Sequence, residues 1–100
     1  MFIVFLRFSK NKEKAKDFMN EHKAWIKAGM DEAVFMMVGS LQPNLGGCIL
    51  AHNVDRKSLE TRLNKDPFVI EDIVYTDIHE VTPAKANKEL HFLMEGNSGN

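Results

Sequence analysis

The sequence predicts an α+β fold in which a four-stranded antiparallel sheet carries its helices in the order β-α-β-β-α-β. Three observations lead there. The chain opens on a short β-favouring run, residues 1–8, and then shows apolar residues at helical spacing (Ala15, Phe18, Met19, Trp25, Ile26 and Ala33). Two apolar runs, 33–41 and 48–52, flank a Pro- and Gly-bearing turn, the mark of a hairpin. A second helical stretch then leads into an alternating run at 73–81. That order is the ferredoxin-like arrangement, with both helices on one face of the sheet.

Each element has its own justification. Phe2 to Leu6 are all strand formers, and the run has strand length. Ser9 to Asn11 supply a polar turn and a candidate N-cap for the first helix, which reaches the neighbourhood of Gly29 and Met30. Residues 33–41 form the second strand, Gln42 to Gly47 the turn, and Cys48 to His52 the third strand. Asp55 is placed as the N-cap of a helix bearing Leu59 and Leu63. The stretch Asn64 to Phe68 ends that helix, and Asp66-Pro67 suits the start of a further helical turn. In the fourth strand Ile73, Tyr75, Asp77 and His79 alternate with Val74, Thr76 and Ile78, and Pro83 closes it. Residues 84–95 fit a short helix or an extended arm equally. Residues 1–95 thus read as one domain, with a Gly/Ser/Asn-rich flexible tail at 96–100.

Bulk properties exclude several classes of function. Thirteen basic and fourteen acidic residues nearly cancel, and no block of like charge would draw the chain to nucleic acid or an anionic membrane. The single cysteine, Cys48, has no internal partner and sits in an apolar run, which fits a reducing, cytoplasmic setting. The apolar N-terminus lacks a basic lead-in and a cleavage site, and Arg7 cuts it short. His52, His79 and His91 show no metal-ligand spacing, so no metal is expected. Neither a phosphate loop nor a dinucleotide fingerprint occurs, so no cofactor is expected either.

Strands 1 and 2 are apolar on both faces: Phe2, Val4, Leu6 and Phe8 against Ile3 and Phe5, and Val34, Met36 and Val38 against Phe35 and Met37. Helices cover only one side, and an exposed patch of that kind marks an interface. The expectation is a homodimer with two sheets packed face to face; cover by the C-terminal arm is the alternative.

His22 lies three and four residues from Met19 and Phe18 on one side, and from Trp25 and Ile26 on the other. It therefore projects from the helix stripe that faces the protein body. A titratable ring placed there needs a partner or a purpose. A structural histidine bonded to a backbone carbonyl is the plainer account.

Four features resemble the YciI-like (YCII-related domain) family of dimeric α+β-barrel proteins: the helix-borne His22, Val38-Gly39-Ser40-Leu41, Gly46-Gly47-Cys48-Ile49-Leu50-Ala51 and Asp66-Pro67-Phe68; the end Ile78-His79-Glu80-Val81-Thr82-Pro83-Ala84-Lys85 is similar to the closing strand of one branch of that family. The resemblance runs from residue 1 to about 85. It departs at Ser40, where many relatives carry proline. It implies a dimeric barrel with a cleft beside the first helix, a His–Asp pair proposed to be catalytic, and, in one related group, dehydrochlorination of chlorinated hydroxyquinols.

On that basis His22 and Asp66 are the candidate catalytic pair. A carboxylate that accepts one imidazole N–H fixes the tautomer and raises the basicity of the other nitrogen, as a general base requires. As a plain N-cap ahead of Pro67, Asp66 needs no such role. Ser40 and Gly39 are the candidates for holding a substrate oxygen, and Trp25 and Phe68 for lining an apolar pocket. Arg7 and Lys23 are readable as carboxylate-binding groups or, more simply, as solvated charge. The expected activity is a cofactor-free proton transfer, either isomerisation or elimination, on a small molecule. A non-catalytic ligand-binding or accessory dimer is the alternative.

Overall fold

A computed structural model describes residues 1–94; the tail expected at 96–100 lies outside the described residues. The strands are β1 (Phe2–Phe8), β2 (Phe35–Leu41), β3 (Gly46–Ala51) and β4 (Val74–Glu80). The α-helices are α1 (Ala15–Asp31), α2 (Arg56–Leu63) and α3 (Pro67–Ile70), and 3₁₀ turns span Lys12–Lys14 and Lys88–Met94. The sheet is antiparallel throughout in the order β2-β3-β1-β4. This is the expected ferredoxin-like topology.

Register sorts the side chains onto two faces. Val4 lies between Ile49 and Ile78, and Leu6 between Gly47 and Thr76. Phe2, Val4, Leu6, Ile49 and Ala51 are buried in one cluster with Leu59, Leu63 and Phe68 from the helices. On the opposite face Ile3 pairs with Leu50 and His79, and Phe5 with Cys48 and Asp77. These residues are half-buried or exposed.

Four expectations need correction. Neither Ser9 nor Asn11 caps a helix with its side chain: α1 starts at Ala15 after the 3₁₀ turn, and Asn11 Nδ2 instead donates to the Glu71 carbonyl at 2.9 Å, tying the β1–α1 loop to the α3–β4 loop. Strand β2 begins at Phe35 because Ala33 and Val34 close α1. The Ala33 and Val34 amides donate back to the Met30 and Gly29 carbonyls, with Ala33 at φ 58°, a Schellman cap. Strand β3 begins at Gly46, so both glycines belong to the ladder and only 42–45 turn. A bulge at Met36 shifts the register, so that Phe35 and Val38 share the helix-covered face and Met37 takes the other.

Both caps expected in the second half of the chain form. Asp55 caps α2 by accepting from the Ser58 amide at 2.7 Å, and Asp66 caps α3 with Pro67 in its first turn. After β4 the chain runs irregularly to the 3₁₀ turn, where Leu93 is buried and Phe92 meets the His52 ring edge-on. No helix among the described residues is long and apolar enough to cross a membrane.

Candidate active site

Helix α1 and the loop before α3 bring together two residues 44 positions apart. His22 Nδ1 lies 2.7 Å from Asp66 Oδ1. Asp66 is fully buried and His22 nearly so, at 9% exposure. The Asp66 carboxylate reaches this place because it caps α3: the same Oδ1 accepts the Phe68 amide at 3.0 Å. Its Oδ2 is buried with no hydrogen-bond partner among the described residues. The capping role and the pairing role therefore coincide in one oxygen.

Two aromatic rings lie against the imidazole. Phe68 stacks on His22 with centroids 3.8 Å apart and planes 1° from parallel. Trp25 lies 5.9 Å away at 23°. With Nδ1 engaged by Asp66, Nε2 is the ring nitrogen left for other chemistry.

His22 lines a cleft of about 360 Å³ between α1 and the sheet. That volume is at the small end of pockets that hold small organic molecules, about 300–1,000 Å³. The α1 wall is the stripe Met19, His22, Lys23 and Ile26. Leu6, Phe8, Val38, Ile49 and Val74 supply an apolar floor, and Phe68 closes one side. Gly47 faces into this space beside Leu6, where a side chain would fill it. Ser40 pairs with Gly47 on the same face and lines the cleft. Gly39 lines it through its backbone, since a side chain there would point towards Met37.

Five of the six residues singled out from the sequence thus meet at this cleft: His22, Ser40, Gly39 and Phe68 on its walls, and Asp66 behind His22. Trp25 does not line it. Its indole N–H donates to the Arg62 carbonyl at 3.0 Å and its ring packs edge-on against Phe35, so it backs the imidazole and faces a shallow groove between α1 and α2. Arg7 lies elsewhere, joined to Asp77 at 2.9 Å on the other face of the sheet. Met19 and Ile26, readable in the sequence only as core, are cleft walls. Nothing in a helical repeat distinguishes a residue facing packed side chains from one facing a void.

A larger recess of about 520 Å³ lies at the opposite end of the sheet, lined by Met1, His52, Asp55, Glu80 and Phe92 among others. No hydrogen bond joins His52 to either carboxylate among the described residues, and Asp55 is engaged in capping α2.

No family model matches the sequence, and no curated protein matches it. Among solved structures, the chain is similar to 5-chloro-2-hydroxyhydroquinone dehydrochlorinase (TftG) from Burkholderia phenoliruptrix AC1100, in complex with 2,5-dihydroxybenzoquinone. The TM-score is 0.67 at 14% identity, over 89% of this chain and 98% of that one. The likeness shows a shared fold.

Proposed function

We propose that the protein is a YciI-like enzyme that moves a proton on a small molecule without a cofactor, using His22 as general base and Asp66 to orient it. The observation that carries this reading is the 2.7 Å contact between His22 Nδ1 and the fully buried Asp66, with His22 on the wall of a ligand-sized cleft. Asp66 accepts the Nδ1–H, which leaves the Nε2 lone pair to take a proton from substrate, and its charge stabilises the imidazolium that forms. The Ser40 hydroxyl and the Gly39 backbone are suited to hold a substrate oxygen.

Isomerisation and elimination are both within reach of this arrangement. In a dehydrochlorination, Nε2 removes a hydroxyl or carbon proton, the freed electron pair forms a new π bond, and chloride leaves with the electrons of the C–Cl bond. The net change is loss of HCl, with no external oxidant. The TftG likeness supports this class of reaction at the level of fold alone. A second copy packed on the open sheet face, where Ile3, Phe5, Met37 and Leu50 cluster, completes the proposed assembly.

The test is a panel of chlorinated hydroxyhydroquinones and enolisable ketones, followed by chloride release and ultraviolet spectra. His22→Asn is the informative variant, because its amide keeps a donor for Asp66 while removing Nε2. It is expected to lower turnover by a factor of about 10²–10⁴, as is His22→Ala. A folded His22→Asn protein with unchanged turnover defeats the mechanism. Saturable thermal stabilisation by a panel member without product establishes the ligand-binding alternative instead.

A further inference from the structure

Of the side chains that line the cleft beside His22, only Lys23 carries a standing charge. Only two of its lining side chains are cationic or able to become so, His22 and Lys23, and none is a carboxylate; Asp66 is sealed behind the imidazole. Lys23 belongs to the cleft by helix geometry: Met19, His22, Lys23 and Ile26 follow the spacing of three, four and seven that defines one helix stripe. The neighbouring Lys27 is engaged with Asp31 at one helical turn. Lys23 makes no ion pair among the described residues, and the residues one turn away, Met19 and Lys27, provide none. An aliphatic stem laid along an apolar wall with its ammonium at the mouth is the usual posture of such a lysine. A charge at the rim of an apolar cleft focuses its field into the cleft, where low-dielectric walls screen it poorly.

We infer that Lys23 makes this cleft selective for small organic monoanions, carboxylates, phenolates or enolates with a compact apolar body, over their neutral counterparts. The inference rests on the reading that this cleft is the functional site, and it adds the charge class of the ligand. The apolar floor of Leu6, Val38 and Ile49 takes the body of the molecule, and the anionic group lies towards Lys23 and Ser40. Such selectivity also suits proton abstraction, because removing a proton from a neutral precursor in this cleft creates the very anion that Lys23 favours.

Three probes test the idea by calorimetric titration and thermal shift. Benzoate and benzamide share a ring and differ in charge, and 4-nitrophenol reports its ionised form by its own absorbance, which separates phenolate from carboxylate binding. Benzoate or 4-nitrophenolate is expected to bind saturably and about tenfold more tightly than benzamide, with the preference shrinking as salt rises. Lys23→Gln should remove the preference while leaving benzamide where it was, and Lys23→Arg should restore it. Lys23 is solvent-exposed, so neither variant threatens folding. Benzamide binding as tightly as both anions, an unchanged ratio in Lys23→Gln, or no binding by any of the three overturns the inference. These readouts need no turnover. A charge preference with a fully active His22→Asn refutes the base and keeps the anion selectivity. An inactive His22→Asn with no charge preference does the reverse.

Discussion

One oxygen atom, Asp66 Oδ1, receives both the Phe68 amide and His22 Nδ1, so the integrity of the α3 cap and the orientation of the imidazole are the same variable. Asp66→Ala removes a cap, with a usual cost of about 1 kcal/mol, and strands a buried imidazole, at about 1–3 kcal/mol. The expected loss is roughly 3 kcal/mol by urea unfolding. Asp66→Asn keeps the shape and the accepting oxygen, and is expected to lose only about 1 kcal/mol, the low end of the range for a stranded buried group, while still impairing turnover because the imidazolium loses its counter-charge. Equal losses in the two variants would show that the amide oxygen of asparagine does not stand in for the carboxylate, and that the charge of Asp66 carries its contribution to the fold. In the sequence this pair is named through the family resemblance, not through local pattern. His22 stood out on an apolar stripe, and Asp66-Pro67 read correctly as a helix start. That these two features meet depends on packing between segments 44 residues apart, which no local pattern encodes.

At the scale of elements, α1 positions the site, and its C-terminal end decides how closely it approaches β2. Gly29 is buried, and a side-chain carbon added there would run into the ring of Phe35, itself only 1% exposed. Helix propensity alone favours Gly29→Ala by about 1 kcal/mol. Overpacking against an immobile ring costs about 1–3 kcal/mol, so the variant is expected to be less stable than the wild type, with a lower denaturant midpoint. A gain in stability would mean that Phe35 can move aside. Four residues further on from Gly29, Ala33 occupies the left-handed position that caps α1, where an L side chain is strained. Ala33→Gly is expected to stabilise by about 0.5–1 kcal/mol, read as a raised melting temperature. The order of elements was legible because periodicity switches cleanly from one run to the next. Element ends were less so: an alanine in a glycine's place disguised the end of α1, and a one-residue bulge at Met36 reversed the faces assigned to half of β2.

The whole molecule presents two unlike sheet faces. One is buried under the helices, and the other carries Ile3, Phe5, Met37 and Leu50 beside a polar group of Arg7, Asp77 and His79. If two copies pair through that face, Leu50→Glu should yield a monomer by sedimentation equilibrium with its secondary structure intact; a dimer that persists would relocate the interface. The polar group has its own signature. Hydrogen bonds from Arg7, and then from His79, hold the Asp77 carboxyl below its usual range. A carboxyl so depressed stabilises the fold above its unfolded pKa, about 3.9, and loses that contribution as pH falls through the lower folded value. Wild type should therefore lose melting temperature faster than Asp77→Asn on acidification below about pH 4, and parallel curves would refute the linkage.

Trp25, set behind the imidazole rather than on the cleft wall, is the sole tryptophan of the chain. Its intrinsic fluorescence therefore arises from one place, one ring removed from the cleft. Imidazolium quenches indole emission more strongly than neutral imidazole, and a bound ligand changes the surroundings of both rings. The protein carries its own optical gauge of His22, legible in solution without a label and before any substrate is known.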